Sequence, residues 1–183
     1  MRNEPRPHGP WTILSTAEVY RDRFVGVQLD QVVRPDGEPG QHVVVQIKPG
    51  VCVLAIDEDE QVFLTSEFHY AVGRISLEAV SGGIEPGEDP LLTAQRELAE
   101  EIGLTARHWD LLTTIDPFTT IMTSPTRLYL ARGLGTCPKD MEGTELIESV
   151  RLPLAAALEK IWTGEITHAP TCVALLMAAR SKS

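Results

Sequence analysis

Between Ser81 and Leu104 the chain reads SGGIEPGEDPLLTAQRELAEEIGL, and this stretch constrains the fold more than any other. Asp89 followed by Pro90 marks a helix start. An aspartate side chain accepts the free N–H groups of the first turn, and a first-turn proline lacks only a hydrogen bond that no helix makes there. Gly103 supplies a stop. Between these signals Leu91, Ala94 and Leu98 fall into one stripe at about 100° per residue, and such a stripe has to be buried against another element.

The neighbours that could cover it are β-rich. RFVGVQLDQVVRPDGEPGQHVVVQI reads as two strands around a Pro-Asp-Gly turn, where glycine takes the positive φ of the reversal. VCVLAID, Val51 to Asp57, is continuously apolar, as expected of a strand covered on both faces. QVFLTSEF returns as its hairpin partner, RISLEAV leads into the glycine loop, and WDLLTTI and TRLYLARGL flank the loop DPFTTIMTSP. ELIESVRLP reads as a further strand. Two helices close the chain, LAAALEKIWTGEI and PTCVALLMAARSKS, the second with proline in its first turn. Strands, one central helix, more strands and then helices predict an α/β domain with a mixed sheet covered by helices.

Residues 1–10, polar and proline-broken, are expected to be a flexible tail without the apolar core of a signal peptide. Residues 11–48 form an N-terminal β-extension and 49–183 the main domain. A net charge of −10 speaks against nucleic acid or an anionic membrane as the main partner. No apolar run reaches the roughly 20 residues of a membrane span. Cys52, Cys137 and Cys172 lack metal-site spacing and read as reduced thiols of a cytoplasmic protein.

The central helix also carries Glu97, Glu100 and Glu101 within an arc of roughly 100°, beside the packing stripe. Like charges at this spacing cost about 0.2–0.5 kcal/mol per pair on a solvated helix, and more where water is excluded. Arg96 can pair with Glu100 four residues on, but one arginine does not neutralise three carboxylates. A hard divalent cation such as Mg2+ does, and it binds through a few carboxylates together with substrate phosphates. A solvated acidic face is the plainer alternative for the helix alone. The loop ahead of it, with Gly82, Gly83 and Gly87, permits close approach of a ligand to the backbone.

Loop and helix together match the signature of the Nudix hydrolases, G-x5-E-x7-R-E-U-x-E-E-x-G-U with U a large aliphatic residue. The matching positions are Gly82, Glu88, Arg96, Glu97, Leu98, Glu100, Glu101, Gly103 and Leu104. The resemblance implies an α/β/α sandwich around a mixed sheet and metal-dependent cleavage of a diphosphate linked to a further moiety. It implies Mg2+ (or Mn2+) held by Glu97, Glu100, Glu101 and the Ser81 carbonyl. Glu88 and Arg96 would complete the catalytic motif by bracing the loop on the helix.

RFVGVQLDQVVRPDG, FHYAVGRISLE, TRLYLARGL and GEITHAPTCVALLMA resemble the ADP-ribose and ADP-sugar pyrophosphatase branch of that family. The branch releases a nucleoside monophosphate and a sugar phosphate, and works as a homodimer whose N-terminal strands help to build the partner's site; Phe24 to Gln46 would do so here. Arg74 and Arg127 are candidate phosphate contacts because a guanidinium fork suits phosphate oxygens. His69 stands where the branch often has arginine, and is a candidate for phosphate or ribose. Glu78 matches a common glutamate of the branch, and Phe118, with Phe68 and Tyr70, is an aromatic candidate for a nucleobase. The loop glutamate usual in the branch is replaced by Thr126, which leaves the general base open among Glu100, Glu101, Glu142, Glu145 and metal-bound water alone. Competing readings are another Nudix substrate, namely a dinucleotide such as NADH or FAD, another nucleotide sugar or an oxidised nucleotide, or a nucleotide-sugar sensor without turnover.

Overall fold

The computed structural model describes residues 4–139 and 146–180. Eight strands precede the first helix: β1 (Arg6–His8), β2 (Trp11–Arg21), β3 (Val25–Val33), β4 (Pro39–Ile47), β5 (Gly50–Ile56), β6 (Gln61–His69), β7 (Arg74–Glu78) and β8 (Val80–Gly83). Then come α1 (Pro90–Ile102), β9 (Leu104–Ile115), β10 (Met122–Thr123), β11 (Thr126–Thr136), β12 (Glu148–Pro153), α2 (Leu154–Trp162) and α3 (Ala169–Arg180). The chain divides into two compact units, Met1–Pro49 with Phe118–Pro125, and Gly50–Pro117 with Thr126–Ser183.

The first unit is a sheet in the order β1-β2-β3-β4-β10. Its central hairpin turns where Gly37 takes φ 87°, and the Arg34 and Glu38 backbones close the reversal at 2.8 Å. Arg6–His8, inside the stretch expected to be a flexible tail, instead pair antiparallel with Trp11–Ile13. A turn at Gly9, φ 57°, brings them back onto β2, so their backbone groups are satisfied by the ladder.

The second unit is a mixed sheet in the order β12-β6-β5-β11-β9, with β7 added to β6 and β8 added to β5. β5 and β11 run parallel, while the other pairs are antiparallel. The alternation of side chains along β5 sorts the core. Cys52, Leu54 and Ile56 join Leu128, Leu130 and the α2 and α3 residues Leu154, Ala157, Ala174 and Leu175 on one face. Val51, Val53 and Ala55 join Tyr129, Ala131 and the α1 residues Ala94 and Leu98 on the other. Helices therefore cover both faces, which is why β5 has no polar position, and the unit is the α/β/α sandwich expected from the sequence.

α1 is set by its ends. Asp89 accepts from the Leu91 and Leu92 N–H groups at 2.9 and 3.2 Å, with Pro90 following it. Gly103 takes φ 68° and returns its N–H to Ala99 and Leu98. α2 ends earlier than the sequence suggests, at Trp162, because Gly164 at φ 77° turns the chain and both Glu165 and Ile166 donate back to Lys160. The strand expected from Glu145 is described only from Glu148, residues 140–145 lying outside the described part. No described helix is long and apolar enough to cross a membrane.

Candidate active site

The acidic arc of α1 is organised by Arg96. Its Nε donates to Glu88 Oε1 at 3.1 Å, and Nη1 lies 2.9 Å from both Glu97 Oε1 and Glu100 Oε2. Glu88 also accepts the Glu85 N–H at 3.1 Å, which ties the loop to the helix. The Arg96 hydrogen bond, helped by that backbone donor, pulls the Glu88 carboxyl down to about 2. Glu88 in turn raises the Arg96 guanidinium above its ordinary value. Glu101 is almost fully buried, next to Leu98 and Ile102. The i,i+4 pair expected between Arg96 and Glu100 is present; the contacts from Arg96 to Glu88 and Glu97 were not part of that expectation.

Gly82 shows how closely the loop approaches the helix. A Cβ built on it would lie 2.1 Å from Glu97 Cδ and Oε1, so the carboxylate rests directly on the glycine backbone beside Ser81. Only a residue without a side chain permits this approach. The donors here are all oxygen: the carboxylates of Glu97, Glu100 and Glu101 and the backbone carbonyl of Ser81. In kind they fit a hard divalent cation. In place, Arg96 stands between Glu97 and Glu100, and no group of three or more His, Cys, Asp or Glu side chains suited to hold a metal is assembled among the described residues.

A second group lies at the end of the β6–β7 hairpin. His69 and Arg74 face each other across the ladder, and Glu78 Oε1 is 3.1 Å from His69 Nε2. His168, just before α3, places Nδ1 3.2 Å from Glu78 Oε2 and 2.8 Å from Thr171 Oγ1. Arg74 Nη2 donates to Thr167 Oγ1 at 2.8 Å. Cys52, on the neighbouring β5, is paired in the ladder with Ser81. Burial pushes this thiol up to about 12, and the charges of both Glu78 and Glu101 add to the shift.

Of the residues singled out in the sequence, Glu88, Arg96, Glu97 and Glu100 form one contact network, with Glu101 and Ser81 adjoining it. His69, Arg74 and Glu78 form the other. Arg127, on β11 between Val51 and Thr114, joins neither by a hydrogen bond or ion pair among the described residues, and its charge bears on the Tyr129 hydroxyl. Phe118 is half-exposed and belongs to the first unit, and Glu142 and Glu145 lie outside the described residues. His168 and Thr171 escaped the sequence reading: nothing in GEITHAPT announces that its histidine closes on a glutamate of β7. The first unit also holds a cleft of about 540 Å3 whose lining includes Arg6, Trp11, Asp30 and His42.

Comparison with known proteins follows the same division. The NUDIX domain profile matches residues 46–170, and a nucleoside diphosphate sugar hydrolase N-terminal domain matches residues 11–45. The chain is 31% identical over 159 residues, covering 86% of it and 77% of the relative, to the CMP-5'-(N-acetyl-N-hydroxy-3-aminopropyl)phosphonate hydrolase of Streptomyces rubellomurinus. It is 26% identical over 170 residues, covering 88% of it and 89% of the relative, to the ADP-ribose pyrophosphatase of Bacillus subtilis. A crystal structure of an ADP compounds hydrolase superposes with a TM-score of 0.77 at 25% identity, covering 93% of each chain.

Proposed function

Because the chain belongs to the Nudix family and is a hydrolase of that family, we propose that it cleaves the diphosphate of ADP-ribose or another ADP-sugar, releasing AMP and a sugar phosphate. The observation that carries this reading is the seating of Glu97 on Gly82, which sets a carboxylate of the acidic helix directly against the glycine loop. Mg2+ or Mn2+ would be held by Glu97, Glu100, Glu101 and the Ser81 carbonyl. Bound there, it would lower the pKa of a water and neutralise charge on the phosphates.

The chain's own residues prepare that site. Arg96 fixes the Glu97 and Glu100 rotamers, while Glu88 holds both Arg96 and the loop backbone. Such bracing matters because a misplacement of about 1 Å costs on the order of a hundredfold in rate. Arg74, His69 and Glu78 supply a cationic and a carboxylate contact for the diphosphate and the adjoining ribose. Arg127 and Phe118 belong to the same reading as a phosphate contact and a base-stacking surface. Residues 11–48 are read as the part that forms a homodimer, a reading supported by their match to a nucleotide-sugar hydrolase N-terminal domain.

The test is AMP release from ADP-ribose with Mg2+ or Mn2+, read by mass spectrometry beside NADH, FAD, other nucleotide sugars and a CMP-linked phosphonate. Turnover should be lost in Glu97→Gln and Glu101→Gln, with the fold intact. Binding without product across the whole panel would overturn the hydrolytic reading in favour of a sensor. Preference for a CMP-linked phosphonate would favour a second reading, prompted by the Streptomyces relative, in which the group joined to the nucleotide is not a sugar phosphate.

A further inference from the structure

One carboxylate engaged by two imidazoles is an unusual use of charge, and nothing in the acidic helix requires it. Glu78 is largely buried, accepting toward His69 Nε2 through Oε1 and toward His168 Nδ1 through Oε2. An ionised carboxylate only accepts, so each facing ring nitrogen carries a hydrogen. Thr171 Oγ1 already receives the Ala79 N–H at 2.8 Å, and it lies 2.8 Å from His168 Nδ1. It therefore stands as a second acceptor beside His168 Nδ1, and the tautomer of His168 is fixed.

The consequence falls on the other ring. With Nε2–H committed to Glu78, His69 has Nδ1 left for a ligand. Glu78 and Arg74 of β7 are its neighbours, and His168, from the segment before α3, holds the other oxygen of Glu78 and the neutral Thr171 hydroxyl. His168 resists protonation, because burial lowers its pKa and a charge on His69 lowers it further, although Glu78 pulls the other way. His69 is also the more accessible ring to a ligand, its side chain 38% exposed against 25% for His168. Protonated, His69 beside Arg74 makes a pair of cationic donors on one hairpin end.

We propose that His168 is a positioning residue for this anion contact: by holding Glu78 it sets His69 with Nδ1 toward the ligand, where the imidazolium binds an oxygen of the substrate's diphosphate. The substrate half of this inference rests on the hydrolase reading; the geometry of the three side chains does not.

The experiment uses the full chain and the variants His168→Leu, His168→Asn, Glu78→Gln and His69→Gln. KM and kcat for ADP-ribose are measured from pH 5.5 to 8.5, and the histidine Cε1–H resonances are titrated by NMR without substrate. Wild-type KM should rise with pH as His69 loses its proton, and His69→Gln should abolish that dependence. His168→Leu should raise KM about tenfold at pH 6 with kcat little changed, the size of one charge-assisted hydrogen bond. His168→Asn, whose amide N–H can stand in for Nδ1–H, should recover most of the loss. In the NMR spectra, His168→Leu should shift the His69 Cε1–H resonance and alter its response to pH, because the two rings share one carboxylate. Should His168→Leu destabilise the protein, Glu78→Gln uncouples the same pair with little change in volume. Independent titration of the rings, a pH-independent KM, or an asparagine variant as poor as the leucine variant would each overturn the proposal. Coupled rings with no turnover on any diphosphate would support the cluster and strike the hydrolase reading instead.

Discussion

Replacing Gly82 with alanine should damage catalysis far more than stability, and the structure gives the size of both effects. The new Cβ would lie 2.1 Å from Glu97 Cδ and Oε1, where ordinary contact begins near 3.4 Å, so the carboxylate has to move by about 1.3 Å. A displacement of that order costs about a hundredfold in rate when it moves a catalytic group. It also pulls Glu97 Oε1 from Arg96 Nη1, now 2.9 Å away; Arg96 keeps Glu88 and Glu100 and is 36% exposed, so the loss should be about 1 kcal/mol. Against this, alanine restricts the unfolded chain and returns about 0.4–1 kcal/mol, and Gly82 does not have a positive φ that alanine would strain. The two stability terms nearly cancel, so the melting temperature should stay within about 4 °C of wild type. Gly87→Ala is the opposite case: φ is 84° and nothing lies within 4 Å of the added methyl, so strain of about 1–2 kcal/mol should lower the melting temperature without moving Glu97. The assay is AMP release from ADP-ribose with Mg2+, alongside thermal melting by circular dichroism. If Gly82→Ala keeps activity within about threefold of wild type, the seating of Glu97 on the loop is not what the site depends on.

Two further outcomes follow from α1. Glu88 has a folded pKa of about 2 against an ordinary 4.5, so its contribution to stability is full above pH 4.5 and is lost as pH falls toward 2. Arg96→Met removes the main cause of that shift, and urea midpoints measured from pH 2 to 6 should fall less steeply with acid in the variant. Asp89→Ala removes the acceptor for the Leu91 and Leu92 N–H groups and should cost about 1 kcal/mol, a loss of roughly 2–4 °C in melting temperature that Asp89→Asn largely avoids.

What could be read in advance was what neighbours in sequence decide. The caps of α1 are local: Asp89 and Gly103 act on the turn beside them, and both ends fall where the residues indicate. The burial of β5 on two faces follows from its unbroken apolar run. Other features depend on partners that no spacing reveals. Arg6–His8 are polar enough to read as a tail, yet form a strand because β2 is long enough to receive them. β7 and β8 divide at Ala79, whose N–H leaves the sheet for Thr171 of α3. His168 meets Glu78 because the same helix start is tied to Arg74 of β7 through Thr167 and to Ala79, just after β7, through Thr171.

The crowding of carboxylates on α1 is where the sequence argument and the structure correct each other. Treated as helix neighbours alone, Glu97, Glu100 and Glu101 have Arg96 to offer one pair at i,i+4. In three dimensions the guanidinium divides its donors among Glu88, Glu97 and Glu100, and the loop glutamate becomes part of the same charge network. That resolves how the helix holds its acidic face, and it sharpens the argument for a cation. Arg96 brings one positive charge to four carboxylates, counting Glu88 and Glu101, and its fork is planar and already committed in three directions. A dication binding through Glu97 and Glu100 would take oxygens that Arg96 now contacts, while Glu88 keeps the guanidinium anchored to the loop. The arginine is thus a brace between loop and helix, and its bond to Glu88 would keep it anchored if a dication took its place at Glu97 and Glu100.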